Sequence, residues 1–311
     1  MRSKRQSVRY PSDGLSEKQP FVSVIVPNYN HASFLDDRIG SILKQTYPGY
    51  EIIILDDNST DDSLSVINKY RSDPHVSAVL CNEINSGSPF LQWHKGMDKA
   101  KGDLIWIAES DDSCARDMLS LLVNEFCKDE KCVLAFCRSA LMNSDGICTG
   151  NHKNQHDLHG SFHMGGKLFI MRYLRWRNVV VNASSAVFRK DTAMSVDRHY
   201  ASYKGVGDWL FWIELSEKGN VAFVNAKKNF FRQHASNTTS ILASNGKASE
   251  ETGHVREYLL SSGYLSKIEL FGIHVNDVYH AVYDGGADVR DFGIAVRVMV
   301  FLKRMARRIF K

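Results

Sequence analysis

Asp103-Leu104-Ile105-Trp106-Ile107-Ala108-Glu109-Ser110-Asp111-Asp112 decides the fold of this 311-residue chain. Leu104 to Ala108 is an unbroken apolar run, the pattern of a strand covered on both faces. It stops in three carboxylates within four positions. Adjacent carboxylates repel, and burying them is costly unless a cation or hydrogen bonds offset the charge. A hard divalent metal with a phosphate-bearing ligand would do so. A solvated turn that caps the next helix is the plainer alternative. In open α/β sheets, ligands gather at the carboxyl ends of strands, where this cluster falls.

Outward from this stretch, the same grammar repeats. Phe21 to Val26 is an apolar strand closed by Pro27-Asn28-Tyr29-Asn30, and Glu51 to Leu55 is a β-branched strand that also ends in acid, Asp56-Asp57-Asn58-Ser59. Val76 to Leu80 is a third strand. Helices are expected from Ser33 to Gln45, from a Ser59 or Thr60 cap to Tyr70 with Asp61 and Asp62 in the first turn, and from the Asn85–Pro89 turn to Ala100. This alternation gives an α/β fold with a mostly parallel central sheet, helices on both faces and right-handed crossovers. Beyond it, helices are expected over 118–127 and 167–176, strands over 133–137, 183–188 and 221–224, and an amphipathic helix over 209–218. The polar stretch 151–166, rich in Gly and His, reads as a long mobile loop. Its four histidines (152, 156, 159 and 163) recur at helix-like spacing, but glycines interrupt any such helix.

Composition narrows the class. The net charge of +4 is too modest to imply a nucleic-acid partner. None of the six cysteines forms a Cys-x-x-Cys pair, so a zinc ribbon or redox motif is unsupported, and several look like buried thiols of a reducing compartment. Residues 1–20 carry Arg2, Lys4, Arg5 and Arg9 with no apolar stretch behind them, so they read as a flexible basic segment rather than a signal peptide. No run approaches the roughly 20 apolar residues of a membrane span. At the other end, Ile294, Val298, Phe301, Leu302, Met305 and Ile309 form one helical stripe, and Arg297, Arg304, Arg308 and Lys311 form another. This basic amphipathic helix suits either an anionic membrane surface or docking on its own domain. The expected organisation is thus a main domain over 21–240 and a helical region over 241–311.

Taken together, six pieces resemble family 2 glycosyltransferases, which have the GT-A fold. They are Val22–Asn30; Ile54–Asp61; Asn85-Ser86-Gly87 with Gly96 and Ala100–Asp103; Glu109–Asp112; Gly207-Asp208-Trp209 with Trp212; and Phe231–His234 with Ser236 and Asn237. The resemblance implies an inverting transferase that moves a sugar from a nucleotide-diphosphate donor, a UDP-sugar, to a glycan or lipid-linked acceptor in cell-surface polysaccharide synthesis. It also implies a cytoplasmic location, peripheral on the inner face of the membrane. Pro27, Tyr29 and Asn30 would shape the base pocket, with Asp57 accepting from the base imide and Asp56 flanking it. Asn85, Lys95, Asp111 and Arg232 would contact the rest of the donor. Asp112 and His234 would hold Mg²⁺ or Mn²⁺, and Asp208 would be the general base or simply cap its helix. One departure from the family pattern is Gln92, where many members carry an Arg that meets the diphosphate. A sugar nucleotidyltransferase is disfavoured by the absence of a Gly-rich loop after the first strand, and a nicotinamide dehydrogenase by the absence of G-x-G-x-x-G. A non-catalytic module of the same fold remains open.

Overall fold

The structure, a computed structural model, describes residues 19–234, 247–283 and 287–309. The expected basic segment lies almost wholly outside these residues, as do Ser236, Asn237 and Lys311. The first four strands are β1 (Val22–Asn28), β2 (Tyr50–Asp56), β3 (Val76–Cys81) and β4 (Leu104–Ile107), separated by α1 (Ala32–Leu43), α2 (Ser63–Tyr70) and α3 (Pro89–Lys99). β1, β2 and β4 are buried at every position, which is why each reads as a continuous apolar run. α2 starts later than its sequence suggests. Asp61 lies before the helix, where its carboxylate accepts from the Ser63 N–H (3.0 Å) and the Ala32 N–H (2.9 Å), tying the entry of α2 to the start of α1.

The remaining elements of the sheet layer are β5 (Ser113–Cys114), α4 (Met118–Lys128), β6 (Cys132–Met142), β7 (Cys148–Asn151), β8 (Phe162–Gly165), α5 (Gly166–Phe169), β9 (Ala186–Arg189), α6 (Lys190–Met194), α7 (Gly207–Ser216) and β10 (Asn220–Arg232). Strand order is β3-β2-β1-β4-β9-β6-β10-β5. β3, β2, β1 and β4 are parallel. β9 then enters antiparallel between β4 and β6, and β6 and β10 are parallel again.

Three expectations change here. The stretch 151–166 is not all loop, because β8 pairs antiparallel with β10 and puts His163 opposite Ala222. Three of its four histidines turn to separate partners: His163 to Glu125 of α4, His152 to the Asn154 N–H, and His156 to the Lys153 carbonyl. The strand expected from 183 begins at Ala186, because Asn182 caps a 3-10 turn over Ala183–Ser185. Finally, α7 is buried from Trp209 to Ser216 without a solvent face. It is a core helix, hydrophobic all round, rather than an amphipathic one.

Two apolar layers sandwich the sheet. One gathers Trp93, Phe188, Phe211 and Trp212; the other gathers Leu35, Ile39, Trp106 and Leu122. The C-terminal region contains α8 (Lys247–Ser261), α9 (Lys267–Tyr283) and α10 (Ile294–Ile309). Val255 and Leu259 of α8 belong to the first layer. α10 packs Val296 and Val300 against Val275, Val278 and Tyr279 of α9, while Ile294, Val298, Phe301 and Leu302 stay exposed. Among the described residues, no helix is long and apolar enough to cross a membrane.

Candidate active site

β1 and β2 end side by side, with Asn28 in register with Asp56. The Asp56 carboxylate accepts from Asn28 Nδ2 (2.8 Å), Ser59 Oγ (2.7 Å) and the Ser59 N–H (2.9 Å). These bonds close the turn beneath the rim, so Asp56 shapes the pocket wall without lining it. Asn30 and Asn58 take left-handed backbone (φ 56° and 62°), which Asn tolerates better than most residues. Asn30 Oδ1 then accepts from the Thr60 N–H at 2.7 Å, stitching the two strand ends together.

Asp57 points the other way, into a cavity of 450 Å³ also lined by Pro27, Tyr29, Asn30, Asn85 and Gln92. Tyr29 stands half-exposed at its mouth. The Asp57 carboxylate receives the Ser86 N–H (2.9 Å), Ser86 Oγ (2.7 Å), Asn82 Nδ2 (2.5 Å) and Gln92 Nε2 (2.9 Å). That is as many donors as a carboxylate has lone-pair sites. Lys95, expected on the donor, is instead held by the Asn82 side-chain oxygen and does not line this cavity.

At the end of β4 the three acids separate. Asp112 is fully buried and held by three donors: Asn182 Nδ2 (2.9 Å) and Ser184 Oγ (2.6 Å) donate to one oxygen, and the Arg232 N–H (2.9 Å) donates to the other. It is therefore a structural clasp between β4, the 182–184 turn and β10. Both of its oxygens are engaged in that clasp, and the candidate cation cluster among the described residues forms around its neighbour Asp111. Asp111 faces the cleft instead. Its Oδ2 lies 3.0 Å from His234 Nε2, and His31 completes a cluster whose ligand atoms lie within 4.8 Å of one another. Burial opposes the Asp111 charge, but the His234 bond and the two imidazoles outweigh it and hold the carboxyl below its ordinary value. Burial lowers the His31 pKa and so favours the neutral, ligating imidazole. Burial, reinforced by the charges of Asp111 and Asp112, pushes Glu109 up to about 8, while Trp93 Nε1 donates to it at 3.1 Å.

Arg232 is also committed elsewhere. Its guanidinium donates to the Asp111 carbonyl (2.6 Å), the Ser144 carbonyl (2.9 Å) and Asp37, and it stacks over Phe34. It braces the loop after β4 rather than reaching for a ligand.

Asp208 sits in the first turn of α7, where Oδ1 accepts the Trp209 N–H (2.8 Å) and Oδ2 accepts Asn178 Nδ2 (2.8 Å). Burial raises its pKa to about 7 against the pull of those two bonds. It lines a second cavity of 160 Å³ together with Asp111. The two cavities share His31, Pro89, Glu109 and Lys204, so the cavity at Asp57 and the one at Asp208 open onto one cleft.

Residues 23–195, more than half of the chain, match the family described as Glycosyl transferase family 2. The chain belongs to that family. Curated relatives include TuaG of Bacillus subtilis (strain 168), named provisionally as a teichuronic acid biosynthesis glycosyltransferase, at 34% identity over 128 residues (41% of this chain, 50% of TuaG). Another is the poly(ribitol-phosphate) beta-glucosyltransferase of Bacillus spizizenii, at 30% over 128 residues (40% of this chain, 20% of that protein). The match thus spans half or less of these relatives' length. Among solved structures, residues 1–349 of Staphylococcus aureus TarS superpose with a TM-score of 0.59 at 18% identity, covering 85% of this chain and 72% of that one. The complex of the same TarS fragment with UDP-GlcNAc gives 0.57 at 19%, covering 71% and 60%. At such identities the likeness speaks to the fold, which is of the GT-A type.

Within this glycosyltransferase family, three residues escaped the sequence reading of this member. His31 carried no signal beyond its place after Asn30. Gln92 stood out only as a departure from the family pattern. Lys204 is an ordinary loop lysine until the fold brings it to the cleft.

Proposed function

We propose that the chain is an inverting glycosyltransferase. It moves a sugar from a nucleotide-diphosphate donor, a UDP-sugar, to a hydroxyl of a glycan or lipid-linked acceptor in cell-surface polysaccharide synthesis. The observation that carries this reading is the joining of Asp57, Asp111 and Asp208 in one cleft, each in a different chemical setting. Tyr29 stacks on the uracil, and the Asp57 carboxylate accepts the imide N–H in place of one of its amide donors. Asp208 accepts the proton of the acceptor hydroxyl as that oxygen attacks the anomeric carbon opposite the leaving group. A pKa near 7 suits a general base at neutral pH.

Two imidazoles and a carboxylate fit a divalent cation, with Asp111, His234 and His31 as its holders. Nitrogen ligands suit Mn²⁺ better than Mg²⁺, which prefers oxygen throughout. Held there, such a cation would supply positive charge against the departing diphosphate. The same reading places the protein at the inner face of an anionic membrane through residues 294–311. The exposed apolar stripe of α10 beside its basic residues supports this.

A thermal-shift titration tests the assignment. UDP with Mn²⁺ raises the melting temperature by mass action, as any ligand selective for the native state does. Asp57→Asn abolishes the UDP shift, and Asp111→Asn abolishes its dependence on Mn²⁺. Asp112→Asn keeps that dependence but melts lower. No shift with any nucleoside diphosphate would remove the proposal.

A further inference from the structure

We propose that Lys204 is the side chain that receives the donor's diphosphate, and that Glu251 of the C-terminal helix α8 is its positioning residue. This deepens the function proposed above and rests on it. A diphosphate bound between the base pocket and Asp208 must pass the Asp111 carboxylate, whose charge opposes its own. Two cations expected nearby are spent, and a third position carries no charge. Lys95 is tied to Asn82, the buried Arg232 at the end of β10 is bonded to the Asp111 and Ser144 carbonyls, and neutral Gln92 stands where a positive charge was expected. Lys204 lines both cavities. It is exposed, and among the described residues its ammonium has no hydrogen-bond or ion-pair partner. Its Nζ hangs over the Asn85–Gly87 turn, 3.7 Å from where a Cβ on Gly87 would lie.

A flexible lysine is useful only if its stem is fixed. Here the backbone is fixed by an unusual device. Glu251, 3% exposed, accepts three consecutive backbone N–H groups: Lys204 (2.8 Å), Gly205 (2.9 Å) and Val206 (3.1 Å). Consecutive N–H groups aimed at one point form an anion cradle, and here the anion is a side chain from α8, about 45 residues away. The clamp holds the two residues that follow Lys204 immediately before Gly207 and Asp208. One carboxylate in the C-terminal region thus fixes both the cation and the entry to the helix that bears the base.

Ligand-observed NMR titrations of UDP and of uridine, on the full chain at saturating Mn²⁺, test the assignment. The expected result is that Lys204→Ala weakens UDP about tenfold, as for one lost charge-assisted bond, and leaves uridine unchanged. Glu251→Gln should weaken UDP in the same direction, leave uridine unchanged, and add nothing further when combined with Lys204→Ala. Non-additivity is the readout that a merely structural Glu251 would not produce. Lys204 is exposed, so its variant folds even if Glu251→Gln does not. UDP binding by Lys204→Ala at wild-type strength overturns the proposal, as does full additivity of the two changes. Wild type binding neither ligand would instead bring down the function on which it rests.

Discussion

At the scale of single residues, the site is a set of carboxylates sorted by their surroundings. Asp112 is used up in holding the fold, Asp111 is kept charged beside two imidazoles, and Asp208 is buried near neutrality. The last has a measurable cost. The folded value of about 7 lies above the ordinary 3.8, so the native state binds the extra proton. The contribution of this group to stability therefore falls as pH rises between about 4 and 7 and is flat beyond. Asp208→Asn should remove that penalty, raising the melting temperature at pH 8 but not at pH 4, with each kcal/mol recovered showing as roughly 2–4 °C. Transfer should drop at least ~100-fold in the same variant, and the acidic limb of the wild-type rate profile should have its midpoint near pH 7. A variant whose melting temperature matches the wild type at pH 8 as it does at pH 4, or that is still active, would contradict the base assignment. The sequence pointed to the acidic cluster but not to which member faces the cleft. Asp111 and Asp112 are neighbours on one turn, and what separates them is Asn182, Ser184 and the Arg232 backbone, 70 or more residues away.

At the scale of elements, β1, β2 and β4 were legible because strands covered on both faces leave nothing but apolar residues in the sequence. β8 was not, because it alternates half-exposed and exposed positions within a Gly- and His-rich stretch, and only β10 gives it a partner. The direction of β9 was illegible for a similar reason: four residues after a 3-10 turn carry no mark of which way they will pair. α7 misled by composition, since a helix buried all round has no polar stripe to set its boundaries. Its start is fixed instead by a close approach. A Cβ on Gly207 would lie 2.4 Å from the Tyr200 carbonyl oxygen and 2.7 Å from Phe90. Gly207→Ala should therefore destabilise by about 1–3 kcal/mol in a urea titration and reduce transfer by displacing Asp208. Gly40→Ala on α1, where nothing lies within 4 Å of the new methyl, serves as the control and should be neutral or slightly stabilising.

At the scale of the whole molecule, the C-terminal helix α10 packs on its neighbour α9 rather than on the main domain's core. It docks through Val296 and Val300, and it still presents Ile294, Val298, Phe301 and Leu302 outward. Its basic residues were legible as a stripe, but which part of the apolar stripe would be spent on α9 was not. In a flotation assay with vesicles rich in anionic lipid, the full chain should float at low salt. Binding should weaken as salt rises, by roughly 1 kcal/mol for each basic contact screened. Phe301→Glu should abolish flotation without lowering the melting temperature, and an unaffected variant would rule the membrane surface out. The burial of Val255 and Leu259 beside α7 has a consequence for anyone dividing this chain. A cut at residue 240 would leave a bare oily patch on the half that remains and set loose the hinge in front of Asp208. Such a fragment should clump and stay inert, because α8 is the brace behind the loop that leads into Asp208 and not a detachable handle.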